Sequence, residues 1–215
     1  MGYLSSSVGR KFFMALTGLF LVLFLLVHLI ANLTLFGGPD AFNAASHFMG
    51  TNPLIQVMQP VLALGFIAHI FMGIVLEIKN YNARPVGYVK NNANANSAWT
   101  SRNMIITGAM IFAFLFLHII NYFIPFKFQP ESIEQAGTHY DFVVALFKNP
   151  IYTVVYVLAF ILLGMHLIHG FQSSLTTTGI RHEKYRKCIV NLGIAFSVLI
   201  AVGFSAIALW FHFVK

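Results

Sequence analysis

The chain has 215 residues, of which 58% are hydrophobic and only 9% are charged, and its mean hydropathy is +0.78. A soluble domain carries about 25% charged residues, so this composition excludes an ordinary soluble domain. The formal net charge is +7, but the basic residues flank apolar stretches, and this distribution does not favour a nucleic-acid partner.

Charge-free segments follow one another along the chain, and each is longer than the roughly 20 residues with which a helix crosses a bilayer. Because lipid offers the backbone no hydrogen-bond partners, segments of this length must be helical. We therefore predict an all-α integral membrane protein, with a single membrane domain over residues 1–215 that forms a five-helix bundle. The predicted spans are residues 12–36, 54–77, 103–126, 149–175 and 188–213. No internal repeat is evident at this level.

The basic residues lie unequally on the two sides of the predicted bundle. Of the 13, ten lie before span one, between spans two and three, or between spans four and five. The positive-inside rule then predicts a cytoplasmic N-terminus and a C-terminus on the outer side. The loops 77–102 and 181–187 would face the cytoplasm, where they can meet anionic lipid or a partner protein.

Each of the first four spans carries a histidine at a matched depth. These histidines lie 16 or 17 residues from an interfacial marker, which is a basic residue before spans one and three and a proline at the start of spans two and four. That distance is about 24 Å along a helix. Because the spans alternate in direction, His28 and His118 share an outer level, whereas His69 and His166 share an inner level.

Two neutral imidazoles on facing helices are what a bis-histidine haem b requires. Zinc would need a third and a fourth ligand, which apolar spans rarely offer. The two pairs therefore predict two haems b, with iron ligands His28 and His118 at the outer level and His69 and His166 at the inner level. The alternative for any single histidine is an interhelical hydrogen bond. The single cysteine excludes an internal disulfide and covalent haem attachment through Cys-x-x-Cys-His.

Glycines accompany the inner pair. Gly65 and Gly73 lie four residues either side of His69, and Gly170 lies four residues after His166. Positions four apart share a helix face, and glycine there leaves room for a flat macrocycle. The alternative is that small residues allow close helix packing in membranes.

Polar residues near the pairs are candidates for haem propionate contacts. At the outer level these are Asn32, Asn121 and Tyr122. At the inner level, His169 lies three residues after His166, about 4.5 Å nearer the inner surface. We therefore predict that His166 binds iron and that His169 contacts a propionate or supports the ligand from outside. The alternative for His169 is a hydrogen bond to a neighbouring helix or to a partner subunit.

Several stretches of the sequence resemble a known family. They are SSVGRKFFMALTGLFLVLFLLVHLIANL, NARPVGY, SRNMIITG, FLHIINYF and HLIHGFQSSLTTTG, and together they touch the first four spans and their flanks. They resemble the dihaem cytochrome b subunit of succinate dehydrogenase/fumarate reductase, a likeness that extends over essentially all five spans. The family's axial ligands match the four histidines named above.

The resemblance implies a bacterial inner-membrane protein that anchors a flavoprotein subunit and an iron–sulfur subunit. Dicarboxylate chemistry would occur in the flavoprotein, so this chain would not itself be catalytic for the dicarboxylate. Electrons would pass through the haems to or from a quinone, usually menaquinone. Some members carry a glutamate two residues before the fourth-span ligand that is linked to proton transfer. This chain has Gly164 there, so that function is not implied.

The resemblance also raises the question of where quinone binds. The first outer loop contains four polar residues near the outer haem level: Asp40, Asn43, His47 and Gln56. They are candidates for hydrogen bonds and proton exchange with a quinone. The alternative is an ordinary polar loop.

Two other functions stay open from the sequence. One is the cytochrome b subunit of a formate dehydrogenase, nitrate reductase or hydrogenase, which also uses bis-histidine haems and a quinone. The other, from a different class, is a small transporter or a cofactor-free scaffold in which the histidines are polar contacts between helices.

Overall fold

The structure is a computed structural model that describes residues 6–83, 99–180 and 183–214. Within these ranges it has five helices that are long and apolar enough to cross a membrane. Numbered in chain order as spanning helices one to five, they are Ser7–Leu33, Pro53–Asn82, Met104–Phe128, Pro150–Thr177 and Arg186–Phe213. A short 3-10 turn, Thr34–Gly37, extends the first. The predicted five-helix membrane protein is confirmed.

The bundle has two unlike ends. Spanning helices one, three and five begin at one of them, which we call the basic end. At the opposite end, the loop end, short helices connect the spans: Pro39–Thr51, Pro130–Ala136 and His139–Lys148. The predicted basic loops 77–102 and 181–187 lie partly outside the described residues, which exclude 84–98 and 181–182.

Spanning helices two and four begin in the same way at the loop end. The side-chain oxygen of Asn52 accepts hydrogen bonds from the backbone N–H groups of Leu54 and Ile55, at 3.0 and 3.4 Å. The side chain of Asn149 accepts one from Ile151 at 2.9 Å. A proline follows each asparagine at the first helical position, where its missing N–H costs nothing.

Spanning helix four lies at the centre of the bundle, in contact with helices one, three and five. Helices four and five approach closely at Gly164, where an added methyl group would lie 2.9 Å from the side chain of Ala201. Small residues permit such close approach between membrane helices. Large side chains of helices one, four and five form the main apolar core, which includes Leu29, Tyr156 and Phe204.

Spanning helix three changes its winding directly after His118. Residues Ile119–Phe123 form a π-helical turn, closed by a hydrogen bond from the N–H of Ile124 to the carbonyl of Ile119. Pro125 follows, and it has no N–H to donate to the carbonyl four residues earlier, so the regular α-helical bond is lost there. Single π turns often occur at functional sites. This one contains Asn121 and Tyr122, the two polar residues that follow His118.

Candidate functional site

The structure brings His28 and His118 together, and we call them the loop-end pair. Their ring centroids are 5.7 Å apart and the rings are nearly perpendicular, at 89°. Each ring packs against a phenylalanine four residues earlier on its own helix, with centroid distances of 5.2 Å for Phe24 and 5.9 Å for Phe114. The outer level predicted by counting residues is therefore a direct contact between helices one and three.

Two polar atoms beside the loop-end pair have no hydrogen-bond partner among the described residues. The Nδ1 atom of His118 and the hydroxyl of Tyr122 are buried and make no hydrogen bond within the part of the chain that the structure describes. The two rings are neighbours, with centroids 5.4 Å apart. A buried polar group without a hydrogen bond is costly, so a polar ligand at this place would relieve both atoms.

The other two residues predicted as outer propionate contacts are engaged elsewhere. The side-chain amide of Asn32 donates to the backbone carbonyl of His28 at 2.8 Å, on its own helix. The amide of Asn121 donates to the hydroxyl of Tyr156 at 3.1 Å. Tyr122 is therefore the better candidate among the three for a contact with a bound group.

The inner histidines, His69 and His166, form the basic-end pair, and each meets a threonine on a neighbouring helix. Nδ1 of His69 lies 3.3 Å from the hydroxyl of Thr17, and Nδ1 of His166 lies 3.2 Å from that of Thr107.

Each threonine hydroxyl also lies within hydrogen-bond distance of carbonyl groups of its own helix, at 3.0–3.1 Å for Thr17 and 3.1–3.2 Å for Thr107. A hydroxyl has one hydrogen, and when it donates that hydrogen to a carbonyl its oxygen can accept the Nδ1–H of the histidine. The other ring nitrogen, Nε2, keeps its lone pair, which is the tautomer that a metal ion requires.

Glycines surround the basic-end pair, but not all in the predicted role. An added methyl group at Gly65 would lie 2.7 Å from the ring of Phe20, so Gly65 serves close helix packing, the alternative reading. At Gly73 and Gly170 the neighbours are the flexible terminal methyl groups of Met14 and Met104, at 3.6 and 3.4 Å. These flexible tips can yield to a bound macrocycle more easily than a ring can.

Sequence reasoning missed two further glycines. Methyl groups added at Gly18 and Gly108 would lie 3.4 and 3.5 Å from the Cε1 atoms of His69 and His166. Both glycines follow the threonines that contact the same histidines. The signal that could have found them is a Thr-Gly dipeptide that recurs eleven residues before a histidine in spanning helices one and three.

His169 is half-buried, and no hydrogen bond of its side chain is found among the described residues. Its side chain is thus available for a contact outside this chain, and no threonine orients its ring as one orients His166.

The four residues predicted for quinone binding divide into two kinds. The side-chain oxygen of Asn43 accepts from the N–H of Tyr140 at 3.0 Å. Gln56 donates to the carbonyl of Gly50 and accepts from the ammonium of Lys127. These two side chains therefore join loop-end segments. Asp40 and His47, by contrast, are exposed on the helix Pro39–Thr51.

The donor set fits a bis-histidine group better than a small metal ion. In the described ranges, no group of three or more His, Cys, Asp or Glu side chains is placed to hold a metal. Each histidine pair supplies two nitrogens, which matches the two axial positions of haem iron and leaves a tetrahedral zinc site incomplete.

A family model for the succinate dehydrogenase/fumarate reductase transmembrane subunit matches residues 82–202, more than half of the chain. The chain belongs to this family. It is therefore a membrane anchor subunit of the succinate dehydrogenase/fumarate reductase type, as the resemblance in its sequence predicted. This membership favours that family over the formate dehydrogenase, nitrate reductase and hydrogenase alternatives.

A curated relative covers more of the chain. It is the succinate dehydrogenase cytochrome b558 subunit of Bacillus subtilis (strain 168), which is 24% identical over 197 residues, 89% of this chain and 89% of the relative. No solved structure matches the chain.

Proposed function

We propose that this subunit binds two haems b, one in each histidine pair, and carries electrons between an iron–sulfur subunit and a membrane quinone, menaquinone or a related compound. The observation that carries the proposal is the ring contact between His28 and His118 at the loop end, together with two further intramembrane imidazoles, His69 and His166, that are each held by a threonine toward the basic end. Ionisable residues inside a membrane usually face the bundle interior and mark function. The printed name of the Bacillus relative, a cytochrome b558 subunit, supports the same cofactor.

Haem b supplies one-electron transfer when bound, and two axial histidines leave the iron no position for a substrate. The chain contributes orientation and exclusion of water. His28 and His118 would hold one haem among aromatic rings, and His69 and His166 would hold the other with their Nδ1 atoms against threonine hydroxyls. The hydroxyl of Tyr122 and the ring of His169 are the proposed contacts for propionates.

The partners in this proposal are a flavoprotein subunit and the iron–sulfur subunit, bound at the basic end on the cytoplasmic side of a bacterial inner membrane. The excess of basic residues at this end supports that orientation. The quinone site is proposed at the loop end, where Asp40 and His47 are exposed and can exchange protons with a quinone.

The haem content of the purified complex tests the proposal. Pyridine haemochrome analysis against protein concentration should give two haems b per chain, and succinate should reduce an added quinone. A ratio near one would refute the two-pair arrangement. The absence of haem would instead favour a cofactor-free scaffold or transporter.

The orientation can be tested with the chain's own cysteine, because Cys188 is exposed near the basic end, at the start of spanning helix five. A membrane-impermeant maleimide added to intact cells should not label it. The control is Ala44→Cys in a Cys188→Ser background, since Ala44 is exposed on a loop-end helix and should be labelled. Labelling of Cys188 from outside would contradict the proposed orientation and place the basic end on the outer side.

A further inference from the structure

Spanning helices one and three carry the same residues at the same spacing. A shift of 90 residues superimposes five informative positions of one helix on the other. The equivalent pairs are Met14 and Met104, Thr17 and Thr107, Gly18 and Gly108, Phe24 and Phe114, and His28 and His118.

Spanning helices two and four correspond in the same way, but with a shift of 97 residues. The equivalent pairs are Asn52 and Asn149, Pro53 and Pro150, His69 and His166, and Gly73 and Gly170. The chain therefore has an internal repeat, contrary to the expectation from its sequence. The two shifts differ because the connecting loops differ in length, and most lipid-facing positions have diverged.

The contacts between the helices repeat together with the residues. Threonine hydroxyl to histidine Nδ1 is 3.3 Å in the first unit and 3.2 Å in the second. The glycine after each threonine faces Cε1 of the same histidine, at 3.4 and 3.5 Å from an added methyl group. Each methionine tip lies over the glycine one turn after that histidine, at 3.6 and 3.4 Å. Three contacts recur at nearly equal distances, so the bundle contains a two-helix unit used twice.

From this repeat we infer that Thr17 and Thr107 are a matched pair of positioning residues that orient His69 and His166 and tune the potential of one shared haem. The inference rests on the proposed function. Thr17 contacts His69 and Thr107 contacts His166, so two residues 90 positions apart would each orient one of the two histidines that would hold this haem.

The chemistry follows from the donor and acceptor roles. When each threonine gives its hydrogen to a carbonyl of its own helix, its oxygen can accept the Nδ1–H of the histidine. Such a bond fixes the ring's rotation and makes Nε2 a stronger electron donor. A stronger donor favours ferric over ferrous iron, so removal of the acceptor oxygen should raise the haem potential.

The test uses Thr17→Val and Thr107→Val, each in the intact complex, because valine keeps the shape and removes the hydroxyl. Potentiometric titration of the visible α-band should resolve two haem components. Each variant should shift the ferric/ferrous equilibrium of the same component upward, by a factor of the order of ten. For a one-electron couple this is about 59 mV.

Three further variants make the result specific. Thr17→Ser and Thr107→Ser keep the acceptor and should retain the wild-type potentials. Thr34→Val is the matched control, because the Thr34 hydroxyl bonds to the carbonyl of Ala31 on its own helix and to no histidine, so neither component should move. If a valine variant fails to assemble, the corresponding alanine variant removes the same hydroxyl and should show the same shift.

Low-spin ferric EPR supplies a second readout, since its g values depend on the orientation of the imidazole rings. The spectrum of one component should change in the valine variants and return in the serine variants. Unchanged potentials and g values would overturn the inference, and so would two threonines acting on different components. A wild-type complex without two haems would instead refute the proposed function.

Discussion

The loop-end and basic-end histidine pairs present the same chemical groups in two different settings. At the loop end, His28 and His118 are in ring contact, and each also packs against a phenylalanine one turn away on its own helix. At the basic end, His69 and His166 are each held by a threonine hydroxyl. Packing orients the first pair and hydrogen bonding orients the second. A nearly charge-free bundle thus positions an imidazole in two ways.

The comparison also shows that each helix serves both levels. Spanning helix one supplies His28 to the loop end and, eleven residues earlier, the threonine that holds His69. Spanning helix three does the same with His118 and Thr107. A shift of either helix along its axis would therefore disturb both pairs together, which ties the spacing of the two levels to helix packing.

Loss of a proposed ligand should produce the largest effect. His28→Ala and His118→Ala should each remove the same haem, whereas His69→Ala and His166→Ala should remove the other. The reason is that one imidazole cannot complete a bis-histidine iron site. Haem content and the two potentiometric components measure the result.

His169→Ala is the matched control for His166→Ala, because both residues lie on the same helix within one turn. It should keep both haems and shift one potential at most. If His169→Ala lost a haem while His166→Ala retained two with native spectra, the assignment of the basic-end pair would be reversed.

The next largest effect is expected at the exposed polar groups of the loop end. Asp40→Asn and His47→Gln should lower quinone reduction by roughly a hundredfold, as is typical when a proton-transfer group is removed. Haem content should stay at the wild-type value. Glu131→Gln is the control, since Glu131 is also an exposed acid in the first turn of a loop-end helix. Equal losses in all three variants would speak against a specific site.

Tyr122→Phe should act on the loop-end haem alone. The hydroxyl has no partner among the described residues, so its proposed role is a hydrogen bond to a haem propionate. Removal of this bond should cost about 1 kcal/mol of the free energy of haem binding. The loop-end component should shift and the basic-end component should not. Tyr156→Phe removes a hydroxyl that already accepts from Asn121, and it should change stability more than potential.

The smallest effect concerns His139, which lies outside the membrane-spanning segments. Burial against the ring of Phe126, at a centroid distance of 4.6 Å, lowers the pKa of His139 below its usual value. The unfolded chain then binds a proton more readily than the folded one, so stability falls as the pH falls below about 6.5. His139→Gln should reduce the loss of thermal stability between pH 7 and pH 5.5. An unchanged pH dependence would contradict this cause.

Much of the architecture could be predicted from the order of residues. Hydropathy and charge placement located five membrane helices, because a span is a property of one continuous segment. The grouping of His28 with His118 followed from counting, since a helix advances 1.5 Å per residue and depth along it needs no knowledge of its neighbours. The motifs around the first and fourth histidines indicated the family.

The side-chain environment could not be predicted in this way. The sequence suggested that Gly65 makes room for a macrocycle, but Gly65 faces the ring of Phe20. It also suggested Asn43 and Gln56 as quinone contacts, but both side chains bond to other loop-end segments. The hydroxyl of Tyr122 is buried and has no hydrogen-bond partner among the described residues, which the sequence alone did not indicate. Each of these facts needs the identity of a distant neighbour.

The sequence by itself thus determined the helices, their order, the depth of each histidine and the family. Only the tertiary structure decided which face of each helix meets which neighbour, and with it the Thr17–His69 and Thr107–His166 contacts and the two-helix repeat. The physical reason is that depth depends on one coordinate along one helix. A hydrogen bond between helices depends on their mutual rotation, and that rotation results from the packing of all five.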